Sequence, residues 1–184
     1  MSMHFAPPVS SITRISILQG QSQISDQPLA EFSTLLGSCV ATCLFDPVAQ
    51  VGGMNHFLLA EPPASACLAD FDEHYGVYLM EVLINDMLAH GAAKARLRAH
   101  LYGGANLNAG LERIGLRNAE FARQFLTHEG ITIAREDLGG IHARRVDFRP
   151  ARGQVRCRIV ENTLVSPTTP TPRPQRADGN VELF

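Results

Sequence analysis

Apolar and polar positions alternate in strand fashion over the first third of the chain. Ile12 to Leu18 alternates roughly, with Ile12 and Arg14 set against Ile15 and Ile17, and predicts a first strand. Gly20 to Pro28 is polar and reads as a loop. Glu31 to Leu36 is strand-like, breaks at Gly37-Ser38, and resumes over Cys39 to Phe45 with Val40, Thr42 and Leu44 on one parity. Asp46-Pro47 is a turn signal, and Val51 to Leu59 is the next strand, with Gly52-Gly53 inside it.

The period then changes. After a loop over Glu61 to Ala69 containing Pro62-Pro63, Tyr75, Tyr78, Leu79, Val82, Leu83 and Met87 recur at helical spacing. They predict a helix over Asp72 to Ala89, capped by Asp70 or Asp72 and stopped at Gly91. Ala95 to Tyr102 returns to alternation, Leu97, Ala99 and Leu101 against Arg96, Arg98 and His100, and Gly103-Gly104 ends it. A second helix runs from Asn118 as N-cap to Glu129, with Phe121, Phe125 and Leu126 inward and Gly130 as its stop. Ile131 to Glu136, His142 to Phe148 and Val155 to Val160 read as three closing strands. Strands, helix, strand, helix, strands predict an α/β sandwich, with the helices laid against a mixed sheet.

Length and composition narrow this further. A chain of 184 residues fits one domain, and 45% hydrophobic residues suffice for a core, which excludes disorder of the whole chain. The expected organisation is a flexible lead over residues 1–11, a domain over 12–162, and a Pro- and Thr-rich disordered tail over 163–184. Sixteen basic against 18 acidic residues argue against a dedicated nucleic-acid binder. The first residues lack the basic start of a secretory signal, and Glu81, Asn85 and Asp86 interrupt the most apolar helical stretch. A cytoplasmic setting follows as the expectation. Four cysteines (39, 43, 67 and 157) are too few for a disulfide scaffold and are expected as free thiols.

The chemistry concentrates in two strands. Cys39 follows Gly37-Ser38, where the chain can turn sharply and main-chain N–H groups are free to face a developing oxyanion. The plainer reading of Cys39 is a small buried apolar residue. His56 lies in the following strand, and a hairpin would bring it beside Cys39 as a base for the thiol. Its plainer reading is an imidazole bonded to a backbone carbonyl. Ser33 and Thr34 are candidates for a third group to orient the imidazole. If the strand stays regular, Ser33 shares the parity of Cys39 and Thr34 faces away. A metal site of Cys39, Cys43 and His56, with Cys67, is a weaker reading, because structural zinc sites show two tight pairs. Gly103-Gly104 and Gly139-Gly140 lack the Gly-Lys-Ser/Thr of a phosphate loop and read as turns. Arg144-Arg145 reads as a solvated pair.

Several blocks carry a family resemblance. Leu36-Gly37-Ser38-Cys39-Val40-Ala41, Leu44-Phe45-Asp46-Pro47 and Gly52-Gly53-Met54-Asn55-His56-Phe57 resemble the chemoreceptor glutamine deamidase family CheD. Tyr102-Gly103-Gly104-Ala105-Asn106, Ile114-Gly115-Leu116-Arg117-Asn118 and Glu136-Asp137-Leu138-Gly139-Gly140, with Arg144 and Arg145, continue the likeness in order from Phe32 to Gly153. The resemblance implies a three-layer α/β sandwich with mixed β-sheets and two main helices. It implies a cysteine-dependent amidohydrolase, a protein-glutamine glutaminase of bacterial chemotaxis that converts receptor glutamines to glutamate and needs no cofactor or metal. The nucleophile maps onto Cys39 and the base onto His56. The family's third group is a threonine six residues before the cysteine, a place held here by Ser33 with Thr34 beside it. The implied partners are methyl-accepting chemoreceptors as substrate and a phosphatase of the CheC type. The alternative from another class is a non-catalytic module that docks on receptors or on such a phosphatase.

Overall fold

Alternation along the strands decides which side of each sheet is buried, and here most strands bury both sides. The computed structural model describes residues 11–59, 69–107 and 112–160. Its strands are β1 (Thr13–Ser16), β2 (Gln21–Ser25), β3 (Ala30–Leu36), β4 (Val40–Asp46), β5 (Val51–Phe57), β6 (Arg98–Gly103), β7 (Thr132–Leu138), β8 (Ala143–Arg149) and β9 (Gln154–Val160). Helix α1 is Ala69–Ala89 and α2 is Glu112–His128. One sheet has the order β1-β3-β8-β9 and the other β2-β5-β4-β6-β7. The β1–β3 and β6–β7 pairs are parallel and the rest antiparallel, so both sheets are mixed.

The layers follow from the period-two rule. On β4, Val40 and Leu44 face the helices, where they pack with Leu79, Met80, Leu83 and Leu126. Ala41 and Cys43 of the same strand face the four-stranded sheet, packing with Phe32, Met54, Tyr102 and Phe148. The order is therefore helices, five-stranded sheet, four-stranded sheet, as the three-layer sandwich requires. Each large side chain removed from water here contributes about 1.5–3 kcal/mol. The buried Asn55 in the helix-facing layer is paired, accepting from the Thr42 N–H at 3.0 Å and donating to the Leu79 carbonyl at 3.2 Å.

Asp46 fixes the β4–β5 turn. Its carboxylate accepts from the N–H groups of Val48, Ala49 and Ala93, and pairs with Arg96 at 2.8 Å. Burial opposes its charge, yet the Arg96 guanidinium and those N–H groups hold its carboxyl well below the usual range.

Some expectations change. The polar stretch expected as a loop contains β2, an edge strand paired with β5 through Gln21↔His56 to Ser25↔Gly52. An edge strand needs few apolar side chains, and here Ile24 alone packs against the helix-side core. Helix α2 starts at Glu112, so Asn118 is inside it rather than at its N-cap. Strand β6 starts at Arg98, because Lys94–Arg96 forms a short 3-10 turn. Residues 1–10, the Pro62-Pro63 loop with Cys67, and the 163–184 tail lie outside the described residues. Among the described residues, no helix is long and apolar enough to cross a membrane.

Candidate active site

The turn expected at Gly37-Ser38 is where the chain leaves one sheet for the other: β3 ends at Leu36 in the four-stranded sheet and β4 begins at Val40 in the five-stranded one. All three carbonyls of the crossing are held. Gly37 O accepts from the Ala105 N–H at 2.8 Å and Cys39 O from the Gly104 N–H at 2.7 Å. Ser38 O accepts from the side-chain amide of Asn118 at 2.7 Å. The Ser38 and Cys39 N–H groups find no acceptor among the described residues, which leaves two donors at the thiol. Gly103 makes this close approach possible. Its φ is +111°, and a Cβ there would stand 2.1 Å from the Cys39 carbonyl oxygen.

His56 comes from β5, where it is the register partner of Ala41 on β4. Cys39 shares the parity of Ala41 and packs against the same between-sheet cluster, so thiol and imidazole lie on one face of one sheet. Thr34 of β3 reaches across from the other sheet. Its Oγ1 is 2.9 Å from His56 Nδ1 and its hydroxyl donates to the Ile17 carbonyl at 2.7 Å. With that hydrogen committed, Oγ1 is left to accept from Nδ1–H, and the Ile17 carbonyl at 3.4 Å favours the same tautomer. Nε2 then carries the free lone pair, and it is buried without a partner among the described residues. The Gly20 N–H donates to the His56 carbonyl at 2.7 Å, anchoring the 17–20 segment on this residue. From that segment Gln19 extends its carboxamide to the thiol, Cys39 Sγ donating to Oε1 at 3.7 Å.

Burial pushes the Cys39 thiol up from its ordinary value, an effect its own backbone N–H partly offsets. Burial pushes His56 down, opposed by the Ile17 carbonyl. Both shifts favour a thiol and a neutral imidazole over an ion pair. A cavity of about 220 Å³ opens on the imidazole, lined by Gln19, Thr34, Leu35, His56 and Arg145 among others. A larger space of about 640 Å³ between α1 and α2, lined by Val77, Phe121 and Phe125, contains none of these groups.

Ser33 also lines this cavity but does not bond the imidazole. Its hydroxyl donates to Asp147 at 2.7 Å, on the face of the four-stranded sheet that points away from His56. The parity count from Cys39 back to Ser33 fails because the crossing at Gly37-Ser38 separates two sheets, and Thr34 is the residue that faces the imidazole. Cys43 is buried between the sheets with its thiol pushed far up by burial. No group of three or more His, Cys, Asp or Glu residues gathers as a metal site among the described residues. Cys39, Cys43 and Cys157 are free thiols. Arg144 is buried against Asp137 at 2.8 Å, so only Arg145 of that pair is solvated.

Two residues escaped the sequence reading. Asn118 looks like a helix cap, but its Oδ1 accepts from the Leu59 N–H at 2.8 Å while its amide holds Ser38. Its position in the Ile114-Gly115-Leu116-Arg117-Asn118 block was the available signal. Gln19 sat in a stretch with no periodic pattern, and nothing in the sequence marked it.

Fold and site together define an α/β protein with a turn-borne thiol, an imidazole on the same sheet face, and a hydroxyl bonded to that imidazole. The chain matches the family described as CheD chemotactic sensory transduction over residues 58–159. It is 56% identical over 154 residues, 84% of each chain, to a protein of Zymomonas mobilis named "Probable chemoreceptor glutamine deamidase CheD". Relatives of the same name in Caulobacter vibrioides (46% identity, 100% of this chain and 99% of that one) and Agrobacterium fabrum (41%, 93% and 96%) match over nearly the whole length. The chain belongs to the CheD family. Among solved structures, the Bacillus licheniformis hypothetical protein YfiH is similar over 65% of this chain and 49% of that one. Its TM-score of 0.41 at 18% identity carries no argument.

Proposed function

We propose that this chain is a protein-glutamine deamidase of bacterial chemotaxis, converting glutamine side chains of methyl-accepting chemoreceptors to glutamate with release of ammonia. The observation that carries the chemistry is Thr34 holding His56 Nδ1 while Nε2 is left without a partner on the same sheet face as Cys39. The relatives' shared name supplies the substrate class.

Because the resting thiol is protonated, the reaction begins with transfer of the Cys39 proton to Nε2 as sulfur attacks the carboxamide carbon. The Ser38 and Cys39 N–H groups stand ready for the oxygen that becomes negative in the tetrahedral intermediate. Removing one such donor elsewhere costs about 10²–10³ in turnover, which is why the pinned carbonyls of the turn matter. His56 returns its proton to the departing nitrogen, ammonia leaves, and a thioester stays on Cys39. Water, deprotonated by Nε2, attacks the thioester and glutamate is released with the thiol restored. Burial helps both steps: an imidazole held below its ordinary value gives its proton up readily to the leaving amine.

The product places a negative charge on a receptor helix, changing repulsion between neighbouring side chains. The same reading includes a cytoplasmic site of action and a phosphatase partner of the CheC type. Ammonia release from a purified receptor cytoplasmic fragment tests it. Wild-type protein is expected to release ammonia and Cys39→Ala none; equal release by both would refute the assignment of Cys39.

A further inference from the structure

The four-stranded sheet has one face on the core and, among the described residues, one face without a covering layer. On that open face period-two spacing aligns five arginines: Arg14 of β1, Arg145 and Arg149 of β8, and Arg156 and Arg158 of β9. Two carboxylates share the face, and both are sunk into it. Glu31 takes Arg14 and Arg149, while Asp147 takes Arg158 at 2.7 Å and the Ser33 hydroxyl. Arg145 and Arg156 are exposed and pair with no carboxylate among the described residues. Five guanidinium groups against two buried acids make a one-sided positive field, on a chain whose acidic residues outnumber its basic ones, 18 to 16.

This face connects to the thiol site. Strand β1 stops at Ser16, whose register partner is Ser33, so β3 has no β1 partner from Thr34 onward. The cavity on His56 lies at that gap, lined by Thr34 and His56 from between the sheets and by Ser33, Leu35 and Arg145 from the open face. Leu35 and Arg145 are register partners on β3 and β8, and Arg145 is in turn the partner of Arg158 on β9. A basic track thus runs from the mouth of the site across the sheet.

The geometry points to this arginine face as the docking surface for an acidic polypeptide: it seats the negatively charged flanks of the protein whose glutamine enters the cavity. A folded polypeptide fits better than a nucleic acid. Among the described residues the face carries no aromatic side chain for base stacking, and it leads to a site whose chemistry reads a carboxamide. This inference rests on the deamidase reading for what enters the cavity, but not for the binding itself.

The test uses the full chain as Arg145→Glu/Arg156→Glu, which breaks none of the ion pairs above. Two glutamine-centred peptides serve as probes, one flanked by glutamates and one by lysines. Binding is followed by fluorescence anisotropy on Cys39→Ala protein with and without the two arginine changes, so it needs no turnover. The expected result is preference for the acidic peptide, weakening as salt rises, and a loss of about tenfold or more in the double variant, with its far-UV circular dichroism spectrum and thermal midpoint unchanged. Equal binding of both peptides, the same affinity in the double variant, or tighter binding of a DNA duplex at the same salt would overturn the proposal. If acidic peptide binds as expected but wild-type protein releases no ammonia from peptide or receptor fragment, the deamidase reading fails while the docking face stands.

Discussion

Thr34→Val is the substitution that probes the site most selectively. It keeps the shape of the side chain and removes one oxygen, which accepts from His56 Nδ1–H at 2.9 Å and donates to the Ile17 carbonyl at 2.7 Å. After the change Nδ1–H retains only the Ile17 carbonyl, at 3.4 Å. Losing one partner of a buried pair costs about 1–2 kcal/mol, and the imidazole is freed to rotate or to change tautomer. If that energy is lost from the transition state, turnover falls roughly 5- to 30-fold. Deamidation should be measured beside the rate of Cys39 alkylation, with Thr34→Ser as the rescue and Ser33→Ala as the comparison. Thr34→Val is expected to slow both reactions and Thr34→Ser to restore them. Ser33→Ala, which loses a bond to Asp147 on the opposite face, should cost about 1 kcal/mol of stability and leave turnover alone. Wild-type turnover in Thr34→Val, or a larger loss in Ser33→Ala, would show that the imidazole is not held as described.

Other measurements bear on separate parts of the account. Asn118→Ala strands the Ser38 carbonyl and the Leu59 N–H together, so urea denaturation should show a loss of about 2 kcal/mol or more, with kcat reduced further than Cys39 alkylation. Gly103→Ala is expected to abolish activity and to destabilise far more than Gly130→Ala. Both glycines have positive φ, but a Cβ at 130 meets nothing within 4 Å, whereas at 103 it meets the Cys39 carbonyl. His56 has a folded value below the ordinary 6.5, so between the two values the unfolded chain binds a proton that the native chain does not. Stability should therefore decline as pH falls through about 6.5, and the acid limb of kcat/KM should lie below that value; a limb at or above it would contradict a buried, neutral base. His56→Ala should slow iodoacetamide alkylation of Cys39 at neutral pH, and an unchanged rate would mean the imidazole does not activate the thiol.

Much of the architecture was legible because it rests on local pattern. The β4–β5 hairpin follows from alternation broken by Asp46-Pro47, and with it the placement of His56 opposite Ala41. The inward faces of both helices could be read from spacing at Leu79, Leu83, Met87 and Leu126, but Tyr75 and Tyr78 of the same expected stripe are exposed. What failed was whatever depends on a partner distant in sequence. Counting parity from Cys39 to Ser33 assumes one continuous strand, but the chain changes sheets within three residues, a crossing that Gly103 admits because it has no Cβ to meet the Cys39 carbonyl. Strand β2 is held by main-chain bonds to β5 and shows almost no apolar signature. Asn118 carries the side chain of a cap and uses it for a tertiary bond, a choice made by the Ser38 carbonyl rather than by the helix. Gly115 hid the first turn of α2. It is a poor helix former, present because the Gly104 and Ala105 carbonyls would lie 2.5 and 2.6 Å from a Cβ there.

The central claim is that the sulfur of Cys39 attacks a receptor carboxamide. Mass spectrometry of a purified receptor cytoplasmic fragment, after incubation with wild-type and Cys39→Ala protein, tests it directly. The account predicts conversion of particular glutamines to glutamate by the wild type and none by the variant. Conversion by Cys39→Ala, or an unaltered receptor after incubation with the wild type, would contradict it.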